Sequence, residues 1–196
     1  MAGPIVTTSL PAPWGPVRLA AGRRGLVAVE QLTSPEEFEA RLTRRFGATP
    51  VALDDPAADA ADAAAAEHLR RAQAAFERFL AGELAALDEL PIDVVDRTAW
   101  DRGVLAAVRT IRPGATASYG DVARMVGKPG AARAVGGAVG RNPLGLVVPC
   151  HRVIAGDGTL GGYGGGWWGG RQAGLELKRE LLAREGVHLR PSRTAP

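Results

Sequence analysis

One tripeptide, Cys150-His151-Arg152, has the residue types and spacing to do chemistry. Cys150 is the only cysteine among 196 residues. A thiol attacks as its thiolate, and an adjacent imidazole or positive charge favours that form. His151 and Arg152 supply both within two positions. Lone free cysteines are also common as buried apolar residues, so local chemistry leaves two readings open, a reactive nucleophile and a structural thiol.

The apolar run Leu146-Val147-Val148 predicts a short strand leading into this site, and Pro149 should end it because proline cannot donate a ladder hydrogen bond. Upstream, Thr98 can cap a helix from Ala99 to Ile111 with Trp100, Val104, Leu105 and Val108 inward. Ser118-Tyr119-Gly120-Asp121 opens a helix through Met125, Gly127-Lys128-Pro129-Gly130 turns the chain, and Ala131 to Val139 forms a second helix. This pair has the sequence form of a helix-turn-helix. The second helix is thin, with Ala131, Ala132, Ala134, Gly136, Gly137 and Ala138, and Arg133 is its one long side chain. Such a helix can lie close against another surface. Arg141-Asn142-Pro143 ends it. Downstream, Ala155 to Gly158 reads as a hairpin-like turn. Gly161 to Gly170 reads as a mobile glycine loop with three aromatics, and Gln172 begins a helix that ends at Glu185-Gly186.

The first half has a different pattern. Strands are expected over Ile5–Leu10, Val17–Ala21 and Leu26–Val29, with a fourth at Pro91–Val95. Ser34-Pro35-Glu36-Glu37 starts a helix through N-cap, N1 proline and acidic first turn. A second helix covers Glu67 to Ala81. These elements make a small α/β domain over 1–96, a scaffold without phosphate loop, metal cluster or useful carboxylate pair.

Composition narrows the function classes. A single cysteine excludes an intramolecular disulfide and a multi-cysteine zinc site. The first residues lack the regions of a signal peptide and no apolar run is long enough to span a bilayer, so a reducing, cytoplasmic setting is expected. Charge is split along the chain. Residues 1–96 carry 9 arginines against 15 acidic residues, and residues 97–196 carry 15 basic against 6 acidic. The basic second half suits a polyanion.

With those residues in hand, the chain resembles the O6-alkylguanine-DNA alkyltransferases. The shared residues are Ser118-Tyr119, Ala131-Ala132-Arg133-Ala134-Val135-Gly136, Asn142-Pro143, Val148-Pro149-Cys150-His151-Arg152-Val153, Gly162-Tyr163, Lys178, Leu181-Leu182 and Glu185-Gly186. In the first half the likeness is confined mainly to Trp14-Gly15-Pro16 to Ala20 and to the helix ending Phe79 to Glu83. The resemblance implies an α+β fold: a ribonuclease H-like N-terminal domain over 1–96 and a winged helix-turn-helix domain over 97–190 that binds DNA and accepts the alkyl group. Residues 191–196 would be a disordered tail. It implies irreversible transfer of an alkyl group from guanine in duplex DNA to Cys150, with no cofactor and no metal. His151 would be the base, acting through water, and Glu185 its orienting partner. Asn142 would act as a hinge. Tyr119 would rotate the phosphate and protonate the leaving guanine. Arg133 would fill the space left by the flipped nucleotide, while Ala131, Ala132, Ala134, Gly136, Ser118 and Arg141 would face DNA. Tyr163, Gly164, Val153 and Pro149 would shape the base pocket. The expected partner is duplex DNA containing O6-alkylguanine, met by a monomer, with no membrane.

Two departures from the family pattern stand out. Gly164 occupies a position where many relatives carry serine. The segment from Tyr163 to Lys178 is longer than usual and contains Trp167-Trp168, which would either extend the alkyl pocket or be a plain insertion. Two other classes compete, a non-catalytic lesion-binding protein and a transcription regulator. Such binders lack the reactive cysteine, and the metal-binding cysteines of regulator fusions are missing. A cysteine hydrolase fits poorly, because its cysteine and histidine lie far apart in sequence.

Overall fold

The computed structural model describes residues 3–164 and 169–189. The chain divides into two units. One takes the chain up to Val95 together with Pro143–Val147, and the other takes Asp96–Asn142 and the chain from Val148 onward. The expectations for Trp167, Trp168 and the tail 191–196 lie outside the described residues.

The first unit is built on a four-stranded sheet of order β3-β2-β1-β4. Its strands are β1 (Val6–Leu10), β2 (Val17–Gly22), β3 (Gly25–Glu30) and β4 (Val51–Ala52). The first three run antiparallel in chain order, and β4 joins β1 in parallel. Every residue of β3 is buried, so this strand is covered on both faces. Helix α1 (Pro35–Phe46) begins with a full capping box between Ser34 and Glu37 and ends at Gly47, as its sequence signals predict. Its Phe38 and Leu42 close on Ile5, Ala20, Val27 and Ala28. Helix α2 (Ala58–Leu80) packs across the first three strands, burying Leu69, Ala72, Phe76 and Phe79. Its alanine-rich start is broken at Asp62, whose backbone is extended.

The strand expected over Pro91–Val95 is not formed. That segment makes one bridge to β3, with Leu26 N–H donating to Pro91 O at 2.8 Å and Asp93 N–H donating to Leu26 O at 2.7 Å. Pro91 lacks a donor, which limits the ladder there. Gly25 allows the approach: its φ is 137°, and a Cβ would lie 2.4 Å from Pro91 O.

The run before the cysteine is also not a strand. Leu144 bridges β3, with Val29 N–H donating to Pro143 O and Gly145 N–H to Val29 O. The chain then turns, Leu146 taking a left-handed φ of 70°. Apolar residues pack here because the turn is buried. Periodicity cannot separate a buried strand from a buried turn over three residues.

The second unit is mainly helical. It holds α3 (Ala99–Arg109), α4 (Tyr119–Met125), α5 (Ala132–Gly140) and α6 (Gly170–Arg184), with a two-stranded parallel pair of β5 (Ala117–Ser118) and β6 (Val153–Ile154). Helices α3, α4 and α5 pack on one another. Val104, Leu105 and Val108 are buried as expected, whereas Trp100 is half-buried and its Nε1 donates to Ala134 O at 3.4 Å. Thr98 caps α3, and Ser118 with Asp121 forms a capping box on α4. At the other end of α5, Arg141 pairs with the buried Asp101 through Nε at 3.0 Å and Nη2 at 2.6 Å. The guanidinium beside Asp101 holds that carboxyl below its usual range.

Candidate active site

Cys150 opens a single 3₁₀ turn, Cys150–Arg152, with Pro149 just before it. Cys150 is 3% exposed and unpaired with any other thiol. His151 and Arg152 are buried too, at 1% and 3%.

Both of these basic side chains converge on Glu185, the C-cap of α6. His151 Nε2 lies 2.9 Å from Glu185 Oε1. Arg152 donates to the same carboxylate through Nε at 3.0 Å and Nη2 at 2.8 Å, and through Nη1 to Ile111 O at 2.5 Å. Gly114 N–H supplies a further donor at 3.3 Å. Burial alone would raise the Glu185 carboxyl, but the hydrogen bonds and charges of His151 and Arg152 outweigh it and hold the group at about 2. Burial pushes His151 below its ordinary value, only partly offset by Glu185, so the imidazole is neutral at pH 7. Its other nitrogen, Nδ1, is buried without a hydrogen-bond partner among the described residues. This is the arrangement of a base whose tautomer is fixed from behind, since Nε2 carries the proton toward the carboxylate and Nδ1 is left to accept.

Around the thiol the electrostatics are opposed. Burial raises the Cys150 pKa, while the Asn142 side-chain hydrogen bond and the Lys178 charge act to lower it. Asn142 also donates from Nδ2 to Val148 O at 2.9 Å, tying the end of α5 to the chain entering the turn. Lys178 is fully buried and donates to Val153 O, Leu160 O and Gly162 O at 2.5, 2.6 and 2.9 Å. Burial pulls its ammonium down to about 8. Lys178→Met is expected to shift the pH dependence of Cys150 alkylation by iodoacetamide to higher pH. It should also cost about 2 kcal/mol, because three carbonyls lose a charged donor. An unchanged pH profile would remove Lys178 from the thiolate's environment.

Cys150 lines a cavity of about 520 Å³ with Tyr119, Gly136, Tyr163 and Gly164. A planar base fits such a volume with room to spare. Tyr163 is buried, which pushes its phenol well above the usual value. Tyr119 is likewise raised by burial, against a backbone hydrogen bond from Gly162. The ring of Tyr119 is hemmed in by two glycines. A Cβ on Gly136 would sit 3.8 Å from it, and one on Gly161 only 3.1 Å, at a residue with φ 69°. Gly161→Ala should therefore displace Tyr119, lower stability by about 1 kcal/mol and slow reaction at Cys150 about tenfold. Thermal melts and single-turnover rates would read this, and wild-type values in both would refute the seat.

The structure brings Cys150, His151, Glu185, Asn142, Val153 and Pro149 into one buried region, and places Tyr119, Gly136, Tyr163 and Gly164 on the cavity wall. Ser118 is occupied in capping α4 and Arg141 in pairing with Asp101. On α5, Val135, Ala138 and Val139 face inward, while Arg133 and Ala134 are exposed and Ala131 and Ala132 half-exposed. Three contributors went unassigned as site residues: Arg152 as a second partner of Glu185, Lys178 as a buried cation, and Arg171 on the cavity wall. A signal for Lys178 existed. It falls four residues after Gly174 and four before Leu182, on the inward face of α6, where lysine is buried only with partners.

The fold and site thus define a two-unit α+β protein with a Cys-His-Glu centre beside a small-residue helix. Residues 99–187 match the family model described as 6-O-methylguanine DNA methyltransferase, DNA binding domain. The solved structure of the Mycobacterium tuberculosis O6-methylguanine methyltransferase is 33% identical, covers 92% of each chain and superposes with a TM-score of 0.69. The structure of Mycobacterium tuberculosis OGT in complex with DNA is 32% identical over 92% of each chain, with a TM-score of 0.66. Among curated relatives, the methylated-DNA–protein-cysteine methyltransferase of Haemophilus influenzae is 39% identical over 60% of this chain, and that of Mycolicibacterium paratuberculosis 47% identical over 56%. The matched region spans 61% of the length of each of these two. The chain belongs to the O6-methylguanine-DNA methyltransferase family.

Proposed function

We propose that this protein repairs alkylated DNA directly, by moving an alkyl group from O6 of guanine to Cys150. The observation that carries it is a lone cysteine on the wall of a base-sized cavity, backed by a buried His151–Glu185 pair. The thiol proton passes through a water molecule to His151 Nδ1, and Glu185 stabilises the resulting imidazolium. The thiolate sulfur attacks the alkyl carbon. The S–C bond forms as the C–O6 bond breaks, and the electron pair leaves with guanine, which takes a proton from Tyr119 as it becomes neutral. The product thioether is stable, so each molecule reacts once.

The alkylated oxygen of a paired guanine is inside the duplex, so the nucleotide must be turned out. The exposed face of α5, with its small residues and Arg133, suits a minor groove, where a side chain can occupy the vacated stack. The basic residues of the second half supply phosphate contacts that ignore sequence, as damage repair requires. In this reading Tyr163 and Gly164 hold the base. The two units correspond to a ribonuclease H-like scaffold and a winged helix-turn-helix, and the protein works in the cytoplasm as a monomer on duplex DNA.

Intact mass after mixing with duplex DNA containing O6-methylguanine tests this. One added methyl group per chain is expected, located on the peptide containing Cys150. No mass gain under excess substrate would refute it.

A further inference from the structure

We infer that Arg171 forms an anion subsite at the rim of the Cys150 cavity, receiving an oxyanion of the substrate and so setting which substrates react fastest. The inference rests on the alkyl-transfer reading above. Ten described residues line the cavity, and Arg171 is the only one with a formal charge at neutral pH. The others are glycines, two tyrosines, a valine and Cys150. Arg171 is exposed whereas Cys150 is buried, which places the charge at the rim and the sulfur below it.

Among the described residues the guanidinium is also uncommitted. In the same unit Arg124 is held by Asp121, Arg141 by Asp101 and Arg152 by Glu185. Arg171 makes no hydrogen bond or ion pair with any described residue. Nor does it serve the thiol, because the cation acting on Cys150 is Lys178. A planar fork of donors on an otherwise neutral cavity recognises paired oxygens, those of a phosphate or a carboxylate. A nucleotide turned into the cavity brings phosphate oxygens, and an adduct ending in a carboxylate brings the other kind. Guanine with a neutral alkyl group brings neither.

Single-turnover rates of the full chain, with Arg171→Ala and Arg171→Lys beside wild type, separate these sources on three substrates. These are an O6-alkylguanine free base, duplex DNA with O6-methylguanine, and duplex DNA with O6-carboxymethylguanine. A phosphate partner predicts that the alanine variant loses about tenfold on both duplexes and little on the free base. That loss should shrink as salt rises, and lysine should restore part of the rate. A loss confined to the carboxymethyl duplex assigns the subsite to the adduct. Equal rates for variant and wild type on all three substrates, or a loss as large on the free base as on DNA, would overturn the subsite. A wild type inert toward all three would instead overturn the alkyl-transfer reading on which it rests.

Discussion

Cys150→Ala is expected to take up no alkyl group from O6-methylguanine DNA while keeping the fold and the capacity to bind DNA. The variant removes the sulfur and nothing else from the centre. His151, Arg152 and Glu185 hold one another through contacts that do not involve the thiol. Cys150 is packed as a small buried residue, and deleting one heavy atom there should cost about 1 kcal/mol. The exposed face of α5, with Arg133, lies on a different element and is untouched. Chemistry and binding should therefore come apart: mass spectrometry shows no methylation, while a gel-shift or anisotropy titration retains affinity for lesion DNA. Cys150→Ser should also be inert on the same timescale, since a hydroxyl is far harder to deprotonate and His151 is a weak base. Methyl uptake by the alanine variant would place the acceptor elsewhere and sink the assignment of Cys150.

How far the sequence foretold this depends on the scale of the signal. Helix starts were legible because caps are local: Ser34, Thr98 and Ser118 sit where the structure has them, each accepting from the backbone three residues on. The grouping of Cys150, His151, Glu185, Asn142 and Tyr163 came from resemblance to a family, because no spacing rule brings a residue at 185 beside one at 151. What failed was non-local. The run Leu146-Val147-Val148 looks like a strand, yet the chain there makes a single bridge to β3 and turns at Leu146. Pro143–Val147 groups with the first unit, although it lies well inside the second half of the sequence. Periodicity over three apolar residues reports burial and is silent on what covers them. The sheet's fourth strand was misplaced for the same reason. Val51–Ala52 is two residues long and half-exposed, too short to leave a pattern, and it pairs only because β1 has a free edge.

The largest effect on stability is expected at Glu185. Glu185→Gln keeps the shape but removes the charge that Arg152 and His151 share. Arg152 is 3% exposed, so it would be left as a buried cation with a neutral partner. Breaking a buried pair in this way costs about 3–5 kcal/mol, and the amide's remaining hydrogen bonds put the expectation at the lower end. The pH dependence gives an independent reading. Glu185 is depressed from 4.5 to about 2 in the folded protein. A depressed carboxylate contributes stability above its unfolded value and loses it as pH falls toward the folded one, here between about 4.5 and about 2. That share is on the order of 3 kcal/mol. His151 acts in the same direction from a higher pH. Its folded value lies below 6.5, so protonation of the unfolded chain draws stability away as pH drops past that point. Wild type should thus weaken below pH 6.5 and more steeply below 4.5, whereas Glu185→Gln should start lower and lack the steeper limb. Urea unfolding at a series of pH values measures both curves. Alkyl transfer by the variant should fall at least tenfold as well, because the imidazolium formed when Cys150 loses its proton would no longer face a carboxylate. If the two curves run parallel through pH 4.5, the carboxylate is not the group that ties Arg152 and His151 to α6.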